Sequence, residues 1–472
     1  MKKYFLVLIL IFSLFSSIAK KPNVVLIVVD DLGWTDLGYS GSDFYLTPNI
    51  DKLATEGMVF TNGYASCTVC SPSRAAIMSG KYPATLNCTD WISGHKMPWA
   101  KLAIPKWTQH LDENEITLAE SLKADNYNTV HLGKWHLGEE EKYWPENQGF
   151  DVNIGGYKQG SPQNDEGGSY FSPYFNPRLS DGPKNEYLTE RLANEAIKYF
   201  EIHKSDDKPF FMNLWFYSVH RPLQAKEDKI EKYRALRDTT KRHHNPVYAA
   251  MVEHVDDAVG KLLNMLEESG LEKETIILFT SDNGGLIGNR NKISKQVTSN
   301  YPLRSGKGDC YEGGVRVPFI IKWPEKIAAG TIDETPVTSI DIYPTVLGLT
   351  GSPMKPASEI DGIDFSKLMV QGQKITREAI YWHYPHYHLQ GATPYSAIRK
   401  GDWKLIEFFE TGEVELYNLH DNIEEDLNLA LSHPEKVKEL MNDLVRWRKK
   451  AGAQLPTVNT SYDETRARKR IK

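Results

Sequence analysis

The densest run of reactive side chains is Ser66-Cys67-Thr68-Val69-Cys70-Ser71-Pro72-Ser73-Arg74, followed by Ala75-Ala76-Ile77-Met78-Ser79-Gly80. Ser71 has the side chain of a helix N-cap, and Pro72 suits the first helical position, where its missing N–H costs nothing. Residues 75–78 continue such a helix and Gly80 can end it. Cys70 is thereby predicted at a helix N-terminus, where unpaired N–H groups and the macrodipole favour negative charge. Arg74, one turn on, can aim a second positive group at the same place. A thiol, or an oxidised derivative of it, could there hold an anion and react with it. The spacing Cys67-x-x-Cys70 fits a redox pair or a disulfide as well.

Other polar groups stand at the ends of predicted strands. The apolar, β-branched run 23–29 stops at Asp30-Asp31, and a second run over 275–280 stops at Ser281-Asp282-Asn283-Gly284-Gly285. In parallel α/β sheets, ligands bind at the C-terminal ends of strands. Asp30, Asp31, Asp282 and Asn283 together would make an all-oxygen site, which suits a hard cation such as Ca²⁺ or Mg²⁺ and not zinc. A strand over 128–132 feeds into Gly133-Lys134-Trp135-His136-Leu137-Gly138, where Lys134 and His136 alternate and so share a face. The run 210–217 leads to Ser218-Val219-His220-Arg221-Pro222, and Lys307 lies among glycines in Leu303-Arg304-Ser305-Gly306-Lys307-Gly308. Glycines let the backbone approach a ligand, and lysine offers a point charge to an oxyanion.

These groups need a scaffold, and the hydrophobic pattern supplies one. Helices are expected from Thr47 with Ile50, Leu53, Ala54 and Met58 on one face, from the capping box Thr117-x-x-Glu120, from Tyr187, and over 247–268 and 339–349. Another strand is expected over 317–323. Strand and helix alternate through roughly 330 residues, which argues a doubly wound, mostly parallel α/β sheet. Residues 85–115 and 155–183 read as long irregular excursions. From about Ala379 the pattern changes to short antiparallel strands (395–399, 403–406, 415–419) and one amphipathic helix over 435–449. The expected division is a leader at 1–19, a catalytic domain at 20–378 and a small α+β domain at 379–472. His383, His386 and His388 could form a second metal site, aromatic packing or a sugar-contacting rim. The tail Thr465-Arg466-Ala467-Arg468-Lys469-Arg470 is read as solvated.

Whole-chain properties narrow the function. A chain of 472 residues with 40% hydrophobic and 25% charged residues can bury a large core. Its net charge of −6 gives no footing for nucleic acid, so an anionic substrate must be drawn by a local pocket. Lys2-Lys3, the apolar run 4–15 and Ser17-Ile18-Ala19 have the form of a secretory signal, and no later stretch is long enough to span a membrane. The expectation is an exported protein, periplasmic or secreted. The chain carries four cysteines, and one of this size needs no disulfide framework, so Cys70 is read as kept for chemistry. Asn87-Cys88-Thr89 and Asn459-Thr460-Ser461 fit the glycosylation pattern.

Cys70-Ser71-Pro72-Ser73-Arg74 matches the Cys-x-Pro-x-Arg signature and resembles the type I, formylglycine-dependent sulfatases of the alkaline phosphatase superfamily. The segments at Asp30-Asp31, Gly133 to His136, His220, Asp282-Asn283-Gly284 and Gly306 to Pro318 match that family in order, across residues 22–324. The resemblance implies an alkaline-phosphatase-like fold and hydrolysis of sulfate esters, with sulfated carbohydrates such as polysaccharide-derived oligosaccharides as the expected substrates. It implies that a maturation enzyme converts Cys70 to formylglycine (3-oxoalanine). One Ca²⁺ would be held by Asp30, Asp31, Asp282, Asn283 and the modified Cys70. Arg74, Lys134 and Lys307 would clamp the sulfate, His136 would handle the formylglycine hydroxyls, and His220 would protonate the leaving group. Cys67 has no place in the signature. Three rivals stand beside this reading: a formylglycine-dependent phosphoester or phosphonate hydrolase, a non-catalytic sulfated-sugar binding protein, and a redox protein using Cys67 and Cys70.

Overall fold

The computed structural model describes residues 20–288, 296–356 and 359–470. The expected leader at 1–19 lies outside the described residues. Eight strands form the main sheet. From edge to edge they are Thr331–Asp333, Met58–Phe60, Phe319–Lys322, Thr275–Ser281, Asn23–Val29, Phe210–Trp215, Asn128–Gly133 and Val152–Ile154. All neighbours run parallel except Phe319–Lys322, which is antiparallel to both strands beside it.

The central strand Asn23–Val29 explains the layering. Its residues are buried along the whole length, and they alternate between two cores. Val25, Ile27 and Val29 pack under the helices Pro48–Glu56, Leu188–His203 and Pro246–Glu268. Val24, Leu26 and Val28 pack against Cys70–Ser79, Leu118–Ala124 and Ile342–Thr350 on the other face. With both faces covered, no polar alternation is needed, hence the continuous apolar run. This is the doubly wound α/β architecture.

A second sheet, antiparallel, is made of Ile380–Tyr384, Tyr395–Lys400, Trp403–Phe408 and Val414–Asn418. One face sets Trp382, Tyr384, Tyr395 and Ala397 against Tyr64, Cys67 and Val69, just ahead of Cys70. The other face receives Leu440, Leu444 and Trp447 of the helix Pro434–Ala451. That helix ends at Gly452 in the left-handed conformation, with Arg448, Lys449 and Lys450 in its last turn, where cations complement the dipole.

Several local expectations need correction. The Cys70 helix starts two residues early: Val69, extended and without a side-chain bond, is the N-cap. Ser71 does not cap, because its hydroxyl instead accepts the N–H of Ile92 at 3.1 Å. Pro72 still lies in the first turn, where no intrahelical donor is required. Met58 is not on the helix before it; Gly57 ends that helix in extended conformation and Met58 opens a strand. The segment 85–115, expected to be irregular, includes the short strand Leu102–Ala103 paired with Thr457–Val458. The basic tail is helical over Glu464–Arg470. The Thr117–Glu120 capping box forms with both of its bonds present.

Candidate active site

The four strands Thr275–Ser281, Asn23–Val29, Phe210–Trp215 and Asn128–Gly133 are consecutive in the sheet and parallel. Their C-terminal ends therefore emerge side by side, bringing Asp282-Asn283, Asp30-Asp31, His220 and Lys134 to one place. Backbone geometry sharpens the convergence. Gly133 has φ +95°, and a Cβ there would lie 2.0 Å from the Trp215 carbonyl oxygen, so only glycine permits the bend that turns Lys134 inward. Asp31 and His136 have φ of 62° and 61°, the left-handed region that non-glycine residues seldom occupy. Such conformations persist where the surroundings over-determine them, and they gather at functional sites.

Cys70 enters from the other side, buried at the start of its helix. Lys307 Nζ lies 3.6 Å from its Sγ and 2.6 Å from Asp31 Oδ1. Lys134 Nζ donates to Asp30 Oδ2 at 2.6 Å. Arg74, fully buried over the Trp215 ring, donates from Nε to Asp282 Oδ2 at 2.8 Å and from Nη1 to the Lys134 carbonyl at 3.1 Å. Three cations thus face three carboxylates in the protein interior.

The arrangement still leaves acceptors unmet. Asp30 Oδ1, Asp31 Oδ2 and Asn283 Oδ1 are buried without a hydrogen-bond donor, while Asn283 gives its Nδ2–H to Asp31 Oδ1 at 2.8 Å. An unsatisfied buried acceptor is costly, and three together call for a cation. The donors are hard oxygens, which fit Ca²⁺ or Mg²⁺. Burial, with the Asp282 and Asp31 charges added, pushes the Asp30 carboxyl up to about 8 against the pull of Lys134. A divalent cation would remove that strain. Asp31 goes the other way: burial opposes its ionisation, but Lys307, His220 and Asn283 outweigh it and hold the carboxyl well below its usual range. Among the described residues, atoms of Asp30, Cys70 and Asp282, and of Asp31, Cys70 and His220, lie within 4.8 Å of one another.

The histidines are oriented by carbonyls, which can only accept. His136 Nε2–H donates to Ile92 O at 2.6 Å, so its buried Nδ1 is left with a bare lone pair. Burial, then Lys134, keeps this ring neutral by holding its pKa well below the usual value. His220 Nδ1–H donates to Arg221 O at 2.7 Å, and its Nε2 faces Asp31 Oδ2 at 3.9 Å. Burial, then Lys307, pulls its pKa down to about 3, with Asp31 offsetting only part of the fall, so the ring is neutral in the unliganded site.

The structure thus gathers every one of the sequence-predicted site residues into one cluster. It does not gather His383, His386 and His388. His383 bridges Ser396 and the Gln454 carbonyl, His386 bonds Thr89, and only His388 reaches the pocket above Cys70. Cys67 and Cys70 are free thiols, not a disulfide. Burial pushes both up, Cys67 to about 12, the opposite of what a redox thiolate needs. Sequence reasoning missed the loop Asp90 to Ser93. Its Ile92 carbonyl fixes the His136 tautomer, and Tyr384 of the small sheet anchors it by donating to Asp90 Oδ1 at 2.7 Å. A backbone acceptor inside an irregular segment leaves no sequence signal. The pocket over Cys70 has a volume of about 420 Å³, with Trp91, His95 and Gln159 in its walls.

Fold and site together define a hydrolase of anionic esters built on an alkaline-phosphatase-like sheet. The family model described as Sulfatase matches residues 22–352, and that described as N-sulphoglucosamine sulphohydrolase, C-terminal, matches 306–450. The chain is 32% identical to a sulfatase of Formosa agariphila, over 88% of this chain and 85% of the relative. It is also 32% identical to arylsulfatase A of Homo sapiens, over 84% and 76% respectively. The crystal structure of Ps i-CgsB superposes with TM-score 0.77 at 30% identity, covering 95% of this chain and 96% of that one. The chain belongs to the sulfatase family, and it is an enzyme that hydrolyses sulfate esters.

Proposed function

We propose that the protein is a formylglycine-dependent, Ca²⁺-requiring sulfatase of sulfated carbohydrates, exported to the periplasm or medium. The observation that carries the metal is the trio of donorless oxygens on Asp30, Asp31 and Asn283. A divalent cation held there, with Asp282 and the converted Cys70, would neutralise the sulfuryl oxygens as charge builds in the transition state. Lys307 reaches both Cys70 and Asp31, and Lys134 stands beside Asp30, so the two lysines can bracket a bound sulfuryl group. Arg74 serves by holding Asp282 and the Lys134 backbone in place.

Conversion of Cys70 to the aldehyde supplies a gem-diol on hydration. That group would supply the nucleophile for the sulfuryl sulfur, and His220 Nε2 would stand ready to protonate the departing sugar oxygen. Because His220 Nδ1–H is committed to a carbonyl, only the imidazolium carries that Nε2 proton. Asp31 by itself leaves the ring neutral, so the imidazolium would have to form when the anionic substrate enters and offsets Lys307 and burial. His136, with its Nε2–H held by Ile92 O and its Nδ1 lone pair bare, would accept the proton whose loss from the hydrated group releases sulfate.

The carbohydrate class is supported by relatives named for it. One is the N-acetylgalactosamine-6-sulfatase of Rattus norvegicus, 32% identical over 76% of this chain. Another is the structure of Ps i-CgsB in complex with k-i-k-neocarrahexaose, at TM-score 0.76 and 28% identity. A phosphonate monoester hydrolase of Agrobacterium radiobacter shares the fold at 19% identity, so parallel assays on nitrophenyl sulfate and phosphate esters are the control for that rival. The direct test is peptide mass spectrometry on protein coexpressed with a formylglycine-generating enzyme. The aldehyde is expected at Cys70 and not at Cys67. Full sulfatase activity with an intact Cys70 thiol would overturn the mechanism.

A further inference from the structure

The pocket above Cys70 changes character between floor and mouth. On the floor every cation is paired: Lys307 with Asp31, Lys134 with Asp30, Arg74 with Asp282. At the mouth stand Lys158 and Arg221, both exposed and both in the pocket lining. Neither side chain has an ion-pair or hydrogen-bond partner among the described residues. The same lining holds Glu139 above the floor, and Lys158 also borders an adjacent cavity lined by Asp165, Glu166 and Asp181, so Arg221 is the cation set apart from carboxylates.

Both cations are tethered to the reacting groups. Arg221 follows His220 directly, and its own carbonyl receives the His220 Nδ1–H, which keeps its stem on the leaving-group side. Lys158 lies two residues before Gly160, where a Cβ would fall 2.3 Å from His136 Cε1. That segment therefore rests on the His136 ring and hangs Lys158 over the same cavity. On a chain of net charge −6, two unpaired cations flanking one pocket make a local positive field that the global charge does not provide.

We infer that Lys158 and Arg221 bind a second anionic group, a sulfate or a carboxylate, carried by the sugar whose sulfate ester is cleaved or by its neighbour. The inference deepens the sulfatase reading above and rests on it. With the sulfuryl group on the floor beside Cys70, the departing sugar passes His220 and its substituents meet the mouth. The planar Arg221 fork can take two oxygens of either anion, and Lys158 adds a mobile point charge. The preferred substrate is thus polyanionic, not a sugar bearing a single sulfate.

The test compares kcat/KM on four esters: nitrophenyl sulfate, a monosulfated monosaccharide, the same sugar with a second sulfate, and a sulfated disaccharide containing a uronic acid. The wild-type enzyme should favour one or both two-anion sugars over the monosulfated one by at least tenfold, and whichever arm wins identifies the second anion. Raising ionic strength should narrow that ratio, because exposed charge pairs are screened. Lys158→Ala should cut the ratio about threefold to fivefold, and Lys158→Glu should cut it further. Arg221→Gln is the matching variant on the other wall; Lys158 keeps the test decisive if changes at 221 disturb His220. A wild-type ratio near one, or a ratio that survives in the Lys158→Ala, Arg221→Gln double variant, overturns the inference. Absence of turnover on nitrophenyl sulfate as well would instead count against the sulfatase reading itself.

Discussion

Two clusters of buried charge lie along the segment 304–316, and they are built on different terms. The first is the site around Cys70, where Lys307 meets Asp31. The second joins the main domain to the small sheet: Lys404 Nζ lies 2.8 Å from Glu312 Oε1 and 2.9 Å from Glu425 Oε1. There Glu312 N–H donates to Glu425 Oε2 at 2.6 Å, Tyr64 O–H to Glu312 Oε2 at 2.6 Å, and Arg399 reaches the Tyr64 oxygen. Three carboxylate oxygens of this second cluster accept hydrogen bonds, and the fourth, Glu425 Oε1, accepts none but lies 2.9 Å from the Lys404 ammonium. Around Cys70, Asp30 Oδ1, Asp31 Oδ2 and Asn283 Oδ1 accept no hydrogen bond, and Arg74 and His220 stand off from the two carboxylate oxygens at 3.9 Å. Burial of charge by itself is therefore no mark of function here; what marks the Cys70 cluster is the set of acceptors left for something the chain does not supply.

The largest effects should follow from removing that set. Asp282→Ala deletes a proposed metal ligand and strands Arg74, so turnover should fall below detection and bound calcium, read by elemental analysis, should vanish. In the wild type, added Ca²⁺ should raise the melting temperature, since an ion that binds only the folded state stabilises by about 2.7 kcal/mol at a hundred times its Kd. Asp282→Ala should lose this response. One equivalent of zinc and no calcium in the active enzyme would overturn the assignment.

Next in size is His220→Ala. A sugar alkoxide is a poor leaving group and needs a proton, whereas nitrophenolate departs unaided near neutral pH. General-acid help is typically worth about 10²–10⁴-fold. The variant should lose roughly that factor on a sulfated sugar and far less on nitrophenyl sulfate, while Lys134→Ala should slow both alike. Equal losses for His220→Ala on the two substrates would reduce His220 to a positioning residue.

The second cluster should respond in the opposite manner. Lys404→Met leaves Glu312 and Glu425 buried without their shared cation, which costs about 3–5 kcal/mol of stability. Denaturant midpoints should drop accordingly, while kcat/KM of the folded fraction stays within about twofold. A loss of activity as large as that of Asp282→Ala, with the fold intact, would erase the distinction between the two clusters.

How far the sequence revealed each cluster follows from its construction. The Cys70 site hangs on strand ends, and buried parallel strands announce themselves as apolar runs, so Asp30, Lys134, His220 and Asp282 were legible by where those runs stop. The mostly parallel sheet was legible for the same reason, since strand and helix alternate. The second cluster offers no such frame. Glu312 and Lys404 are 92 residues apart, single charges in unremarkable local contexts, and only tertiary packing pairs them. Ser71 misled for a related reason: its hydroxyl had a choice between capping its own helix and receiving Ile92 from a distant loop. Short edge elements such as Leu102–Ala103 depend on a partner more than 350 residues away, beyond any local pattern.

The smallest predicted effect concerns Cys67, which stands three residues from Cys70 yet belongs to the other region. Its side chain packs among Tyr64, Val69, Cys310 and Trp382 beneath the small sheet. Its backbone is held by Ser73, whose Oγ accepts the Cys67 N–H and donates to the Cys67 carbonyl, both at 3.1 Å. Neither bond involves the thiol. Cys67→Ala removes one buried sulfur and should cost about 1 kcal/mol, in line with losing a single heavy atom from a core. Its kcat/KM on nitrophenyl sulfate should stay within about twofold of wild type, whereas Cys70→Ala should have none. Thiol titration of denatured, active protein gives a second check. Four cysteines less the converted Cys70 leave three titratable thiols in the wild type, and Cys67→Ala should show one fewer. A tenfold loss in Cys67→Ala with aldehyde and calcium contents unchanged would draw Cys67 into the chemistry and move the boundary between the two regions.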